Sequence, residues 1–316
     1  MALVEYLASE VAEDCKDGLV TRREALRRLG LLGLSAGAAA ALLAACGGDN
    51  GRAQPAATTA AATTASTSVS TTGSSATSAP SASATSAAGA AVTAAPITFP
   101  GPAGTLQGSF AAAPTRRGAV LIIHENRGLT DHFKTLPARF AADGYDALAI
   151  DLLSRQGGTA AFADPAQATA ALGAAKQDDL TADMRAGLDE LSRRAPGAGL
   201  AIVGFCFGGG QVWSLLAAGE PRLAAAAPFY GPGPSGANFS GSKAAVLGVY
   251  AELDSRVNAS KDAMDQALTA AGLVHEMRVF PGVDHAFFND TGPRYDATQA
   301  AAAYQAVLDW FGPHLA

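Results

Sequence analysis

Leu200-Ala201-Ile202-Val203-Gly204-Phe205-Cys206-Phe207-Gly208-Gly209 is the stretch that decides the fold. An apolar run, a glycine-flanked turn and then Gln211-Val212-Trp213-Ser214-Leu215-Leu216 read as a buried strand, a sharp turn and a helix, with Cys206 at the tip of the turn. This is the nucleophile-elbow pattern Gly-x-Ser-x-Gly with cysteine in place of serine. Such a turn strains the nucleophile's backbone and packs strand against helix too closely for a Cβ. It sets the sulfur at the C-terminal edge of a sheet and at a helix N-terminus. There the helix dipole favours thiolate and the Phe207 N–H can bind an oxyanion. The competing reading is a glycine-rich turn that merely holds a buried cysteine.

On both sides of this stretch, apolar runs alternate with helical patterns. Ile97 to Phe99 and Gly104 to Phe110 read as an antiparallel edge hairpin around Gly101-Pro102. Strands are expected at Ala119–Ile123, Ala147–Ile150, Ala224–Phe229, Ala245–Tyr250 and Val274–Phe280. The expected helices are Asp131–Ala142, Asp164–Lys176, Asp178–Arg194, Ala259–Ala271 and Tyr295–Phe311. The alternation predicts an α/β fold, a mostly parallel sheet with helices on both faces, and a ligand site at the strand C-termini.

Composition divides the 316 residues into three parts. Residues 1–46 read as an export signal: Thr21-Arg22-Arg23-Glu24-Ala25-Leu26-Arg27 resembles a twin-arginine motif and Leu29 to Ala45 is uncharged and apolar. The segment ends in Leu43-Ala44-Ala45-Cys46-Gly47, which resembles a lipoprotein box that would lipidate Cys46 and tie the protein to a bacterial envelope membrane. An uncleaved membrane anchor is the alternative, for which the apolar stretch is marginally short. The leader before Arg22 is unusually long and partly acidic. Residues 47–95, almost wholly Ala, Thr, Ser and Gly, read as a disordered tether, and 96–316 as one catalytic domain, expected to be monomeric. Cys15 would leave with the leader and Cys46 would carry lipid, so Cys206 is the only thiol left to the domain. Removing residues 1–45 changes the formal charge from −6 to −5, and with no basic patch nucleic acid is not an expected partner.

Acyl transfer by a thiol needs a base and a group to orient that base. Asp254 follows the strand ending at Tyr250, and His285 follows the strand ending at Phe280, so both fall at the sheet edge that holds Cys206. The order Cys, Asp, His, at spacings of 48 and 31 residues, is that of α/β-hydrolases. Asp284 is a lesser candidate for the acid. A second oxyanion donor is expected from the backbone N–H of Asn126 or Arg127, after the Val120–Ile123 strand.

Here the chain resembles the dienelactone hydrolase family, carboxymethylenebutenolidase-like α/β-hydrolases. The resemblance covers about Ile97 to Leu315. It rests on Gly204-Phe205-Cys206-Phe207-Gly208-Gly209, on Glu125 after the third strand and on Asp151-Leu152-Leu153-Ser154-Arg155 after the fourth. It implies Cys206 as nucleophile, His285 as base and Asp254 as its orienter, with Glu125 contacting the resting thiol and Arg155 binding a substrate carboxylate. The second arginine that lactone-cleaving members place soon after the histidine is replaced by Ala286-Phe287-Phe288-Asn289-Asp290. Arg294 lies one turn further on. Phe287, Phe288, Trp213 and Tyr230 read as core first and as pocket lining second. No cofactor is expected, and no metal, because the five histidines are scattered. The expected reaction is hydrolysis of a small ester or lactone through a thioester. A broad carboxylesterase or thioesterase is the alternative, and a non-catalytic tethered binding module the more distant one.

Overall fold

The structure, a computed structural model, describes residues 3–44 and 92–315. Three helices come first: α1 (Leu3–Lys16), α2 (Arg22–Leu31) and α3 (Ala36–Ala44). Strands β1 (Ala95–Gly101) and β2 (Gly104–Ala111) then pair as an antiparallel hairpin at one edge of the sheet, as the turn at Gly101-Pro102 predicts. β3 (Gly118–Ile123), α4 (Asp131–Ala142), β4 (Tyr145–Asp151), α5 (Pro165–Ala174), α6 (Gln177–Arg194), β5 (Leu200–Phe205) and α7 (Phe207–Ala217) follow. β6 (Leu223–Phe229), β7 (Ala245–Ala251), α8 (Ser255–Asn258), α9 (Lys261–Ala270), β8 (His275–Phe280) and α10 (Ala297–Leu315) complete the chain.

The eight strands form one sheet in the order β1-β2-β4-β3-β5-β6-β7-β8. β2 runs antiparallel to β4, and β3 to β8 are mutually parallel. This is the α/β-hydrolase fold. β3, β4, β5 and β7 are buried along their whole length, which explains the apolar sequences of β3, β5 and β7, while β4 also buries Asp146, bonded to Arg116. α4 and α10 meet at Phe140 and Tyr304, whose rings lie 5.1 Å apart. α6 and α7 meet through a 2.7 Å bond from Gln177 to Gln211. Cys206, Asp254 and His285 follow the C-terminal ends of β5, β7 and β8, on one edge of the sheet.

The structure departs from the sequence reading at the N-terminus. Residues 1–46 read in the sequence as an export signal, yet α1 packs onto the folded body and buries Tyr6, Leu7, Ala8, Val11 and Ala12. Leu3, Val4, Leu7, Ala8 and Val11 repeat at three- and four-residue spacing, which gives an amphipathic helix an apolar stripe to bury. The apolar stretch after Arg28 is broken between α2 and α3, and among the described residues no helix is long and apolar enough to cross a membrane. Cys46 and nearly all of the 47–95 tether lie outside the described residues.

Candidate active site

Close packing builds the elbow. A Cβ on Gly204 would lie 2.2 Å from the Gly208 carbonyl oxygen, and one on Gly208 would lie 2.4 Å from that of Ile123, so neither position has room for a side chain. Between them Cys206 takes φ +56°, a conformation that non-glycine residues rarely hold. Its N–H donates to Phe229 O at 3.0 Å and its carbonyl accepts the Gly210 N–H at 3.1 Å, which pins the strained residue at both ends. Phe207 opens α7, so its N–H belongs to the first turn, where no intrahelical acceptor exists. Among the described residues the other non-glycine positions with positive φ are Tyr230 (+34°) and Ala286 (+64°), which flank the same site. Strain therefore concentrates where β5, β6 and β8 deliver their loops.

His285 Nδ1 lies 2.5 Å from Asp254 Oδ2. Asp254 is itself fixed as the N-cap of α8, where Oδ1 accepts the Val257 N–H at 3.2 Å. Asp284, the lesser candidate, instead accepts the backbone N–H of His285. The Cys206 sulfur and a His285 ring nitrogen come within 4.8 Å of each other. The order read from the sequence thus places the three side chains together.

A fourth group stands between them. Glu10 of α1 accepts the Cys206 S–H at Oε1 (3.0 Å), and the same oxygen lies 2.9 Å from His285 Nε2. Asn126 donates to its Oε2 at 2.8 Å, and the Arg256 guanidinium lies 3.9 Å from Oε1. The Tyr6 hydroxyl lies 3.4 Å from the sulfur, and Arg256 stacks over the Tyr6 ring at 4.8 Å. Burial works against the charge of Glu10. The imidazole and guanidinium outweigh it and hold the carboxyl at about 2. Burial, and then the charge of Glu10, push the thiol up to about 12. His285 is held above its ordinary value despite burial, first by Asp254. These directions favour a protonated sulfur beside a charged carboxylate.

A cavity of about 400 Å³ opens beside the sulfur, with walls that include Glu125, Asn126, Arg127, Phe133 and Arg294 of the hydrolase body and Glu10 and Asp14 of α1. Arg294 donates to Asp14 at 3.0 Å and to Asp17 at 2.6 Å. Glu10, Cys206 and His285 are the one group of potential metal ligands this close together among the described residues. Within the trio Cys206 hydrogen-bonds to Glu10 Oε1 at 3.0 Å, whereas His285 Nε2, 2.9 Å from the same oxygen, has ion-pair proximity without a hydrogen bond of good geometry.

Residues 107–315 match the sequence profile of the Dienelactone hydrolase family. The chain belongs to that family. A protein of Escherichia coli O157:H7 named "Putative carboxymethylenebutenolidase" is 34% identical over 208 residues, covering 61% of this chain and 75% of that protein. One of the same name from Methylorubrum extorquens strain AM1 is 32% identical over 223 residues, covering 64% and 75%. A crystal structure of a protein of Klebsiella pneumoniae described as a "Putative Dienelactone Hydrolase" superposes with a TM-score of 0.62 at 30% identity, covering 70% of this chain and 98% of that one. The protein is accordingly a hydrolase of the dienelactone hydrolase type.

Against this dienelactone hydrolase background two expected contacts need correction. Glu125 does not hold the thiol. Its carboxylate accepts from Asn289 Nδ2 at 2.8 Å and from the Tyr230 hydroxyl at 3.2 Å, and Glu10 takes the place beside the sulfur. Burial raises the Glu125 carboxyl above its ordinary value. Arg155 does not reach the cavity. Its fork is spent on Asp183, at 2.7 and 2.9 Å, with Asp179 3.3 Å away, because the turn after β4 leans onto α6. The arginines that line the cavity are instead Arg28, Arg127 and Arg294. Phe287, Phe288, Trp213 and Tyr230 are buried core, with Phe205 and Phe288 stacked at 4.9 Å. Sequence reasoning missed Glu10, Tyr6 and Arg256. The signal available was the amphipathic spacing of the acidic leader, which a reading as a targeting peptide set aside.

Proposed function

We propose that the chain hydrolyses a small ester or lactone through a thioester on Cys206, with His285 as general base and Asp254 holding the imidazole. The observation that carries this reading is the strained Cys206 at the start of α7, within 4.8 Å of an imidazole whose far nitrogen is 2.5 Å from a capped carboxylate. His285 takes the thiol proton as sulfur attacks the acyl carbon. The carbon–oxygen bond then breaks and the imidazolium protonates the departing alcohol. A water deprotonated by the same imidazole attacks the thioester, releasing the acid and restoring the thiol. The N–H groups of Phe207 and of Asn126 or Arg127 suit the oxyanion. In a lactone the leaving alcohol remains part of the product, and the relatives named carboxymethylenebutenolidase favour that class. A substrate carboxylate would be read by Arg294, which faces the cavity, in place of Arg155.

In this reading residues 1–46 also direct export, and lipid on Cys46 holds the enzyme at a bacterial envelope membrane. Metabolic labelling with a fatty acid tests the anchor, and absence of label on a Cys46-dependent band overturns it. For the chemistry, p-nitrophenyl acetate hydrolysis is followed with the chain and its Cys206→Ala variant, each also carrying Glu10→Gln. Turnover that survives Cys206→Ala overturns the assignment.

A further inference from the structure

We propose that α1 is a tethered inhibitor, a stretch of the chain that fills its own active site with a carboxylate in the position of the product acid. The inference rests on Cys206 and His285 being the nucleophile and base. A reacting acyl group must come within about 3 Å of the sulfur and of the base that serves its leaving oxygen. Glu10 Oε1 occupies that point, 3.0 Å from Sγ and 2.9 Å from Nε2, while Oε2 takes the Asn126 side chain at 2.8 Å. A released acid would offer the same two oxygens to the same groups, so the helix presents the end state of the reaction.

The rest of α1 is fitted to hold Glu10 there. Leu7 packs into α5 at Gly173, where a Cβ would lie 3.2 Å from the Leu7 side chain and 3.0 Å from that of Leu32. Tyr6, buried against the sulfur, sits under the Arg256 guanidinium. One and two turns beyond Glu10, Asp14 and Asp17 occupy both ends of Arg294, one of the cations that line the cavity. Arg27 of α2 adds an ion pair to Asp164 at the start of α5. Apolar face, inhibitory carboxylate and distal acids all lie on one short segment, covalently attached and so present at high effective concentration.

The groups that face Glu10 set its charge. They are His285 and Cys206 from the loops after β8 and β5, Asn126 from the loop after β3, and Arg256 from α8. Together they keep a carboxylate against a neutral thiol, the unreactive form. Activity then requires α1 to leave, and under the export reading removal of the leader would take it away.

The test uses the full chain and reads two things: the rate at which iodoacetamide alkylates Cys206, followed by peptide mass, and p-nitrophenyl acetate hydrolysis. Three variants are compared with the unaltered chain. They are Glu10→Ala, the pair Asp14→Ala with Asp17→Ala, which does not touch the sulfur, and the pair Leu7→Asp with Val11→Asp, which spoils the packed face. Each is expected to raise both rates, Glu10→Ala by about ten- to a hundredfold, the factor for charge-assisted hydrogen bonds lost. A synthetic peptide of residues 3–17 should suppress the Leu7→Asp, Val11→Asp chain again, and the same peptide with Glu10→Gln should do so less well. Unchanged or slower hydrolysis and alkylation in Glu10→Ala overturns the proposal, since Glu10 would then be either displaced already or part of the machinery. Faster alkylation with no hydrolysis in any chain upholds the inhibitor and overturns the hydrolase reading.

Discussion

Glu10 Oε1 and Cys206 Sγ are 3.0 Å apart across 196 positions of sequence, joining the N-terminal helix to the tip of the elbow. The same oxygen lies 2.9 Å from His285, so one carboxylate contacts both the proposed nucleophile and the proposed base.

That ion pair makes stability depend on pH in both directions. Glu10, held at about 2, adds stability that is present above the ordinary carboxylate value and is lost as pH falls toward 2. His285, held above its ordinary value, adds stability that is present below about 6.5 and is lost as pH rises through the raised value. The difference in Tm between the chain and Glu10→Gln should therefore be greatest near pH 5–6. A difference that does not vary between pH 2 and 9 would contradict the pairing.

Asp254→Asn should leave the fold intact, because an amide oxygen can still cap α8. It should lower kcat by about 10³- to 10⁴-fold by losing the charge behind the imidazole, with little effect on KM. The comparison is best made in a Glu10→Ala background by steady-state kinetics. A loss below tenfold would remove Asp254 from the reaction.

Arg155 and Arg294 should separate cleanly. Arg155→Ala strands the buried Asp183 carboxylate and should cost about 3–5 kcal/mol of stability, with neutral and anionic esters affected alike. Arg294→Ala, also with Glu10→Ala, should raise KM for carboxylate-bearing esters and spare neutral ones. Equal effects of Arg294→Ala on both substrates would rule out carboxylate recognition there.

Gly204→Ala places a methyl 2.2 Å from the Gly208 carbonyl oxygen, where only backbone movement can make room. A loss of about 3 kcal/mol, or roughly 6–12 °C in Tm, is expected by calorimetry. Since the strain falls on the elbow, ester turnover should drop with it.

Sequence by itself determined the hydrolase body. Fully buried parallel strands must be continuously apolar, as Ala119 to Ile123 and Leu200 to Val203 are, and Asp131–Ala142 matched α4 end to end. The elbow was legible because its glycines answer to local sterics. The positions of Asp254 and His285 followed from their coming directly after strands that all end on one edge. What only the tertiary structure decided were the partners of side chains whose neighbours are remote in sequence. Arg155 could have pointed to a substrate or to α6, and Glu125 to the thiol or to Asn289. Either choice satisfies a buried charge, and sequence spacing cannot rank them. The same holds most strongly for Glu10. An amphipathic acidic helix carries a face to bury but no record of which surface will bury it, and here that surface is the candidate active site.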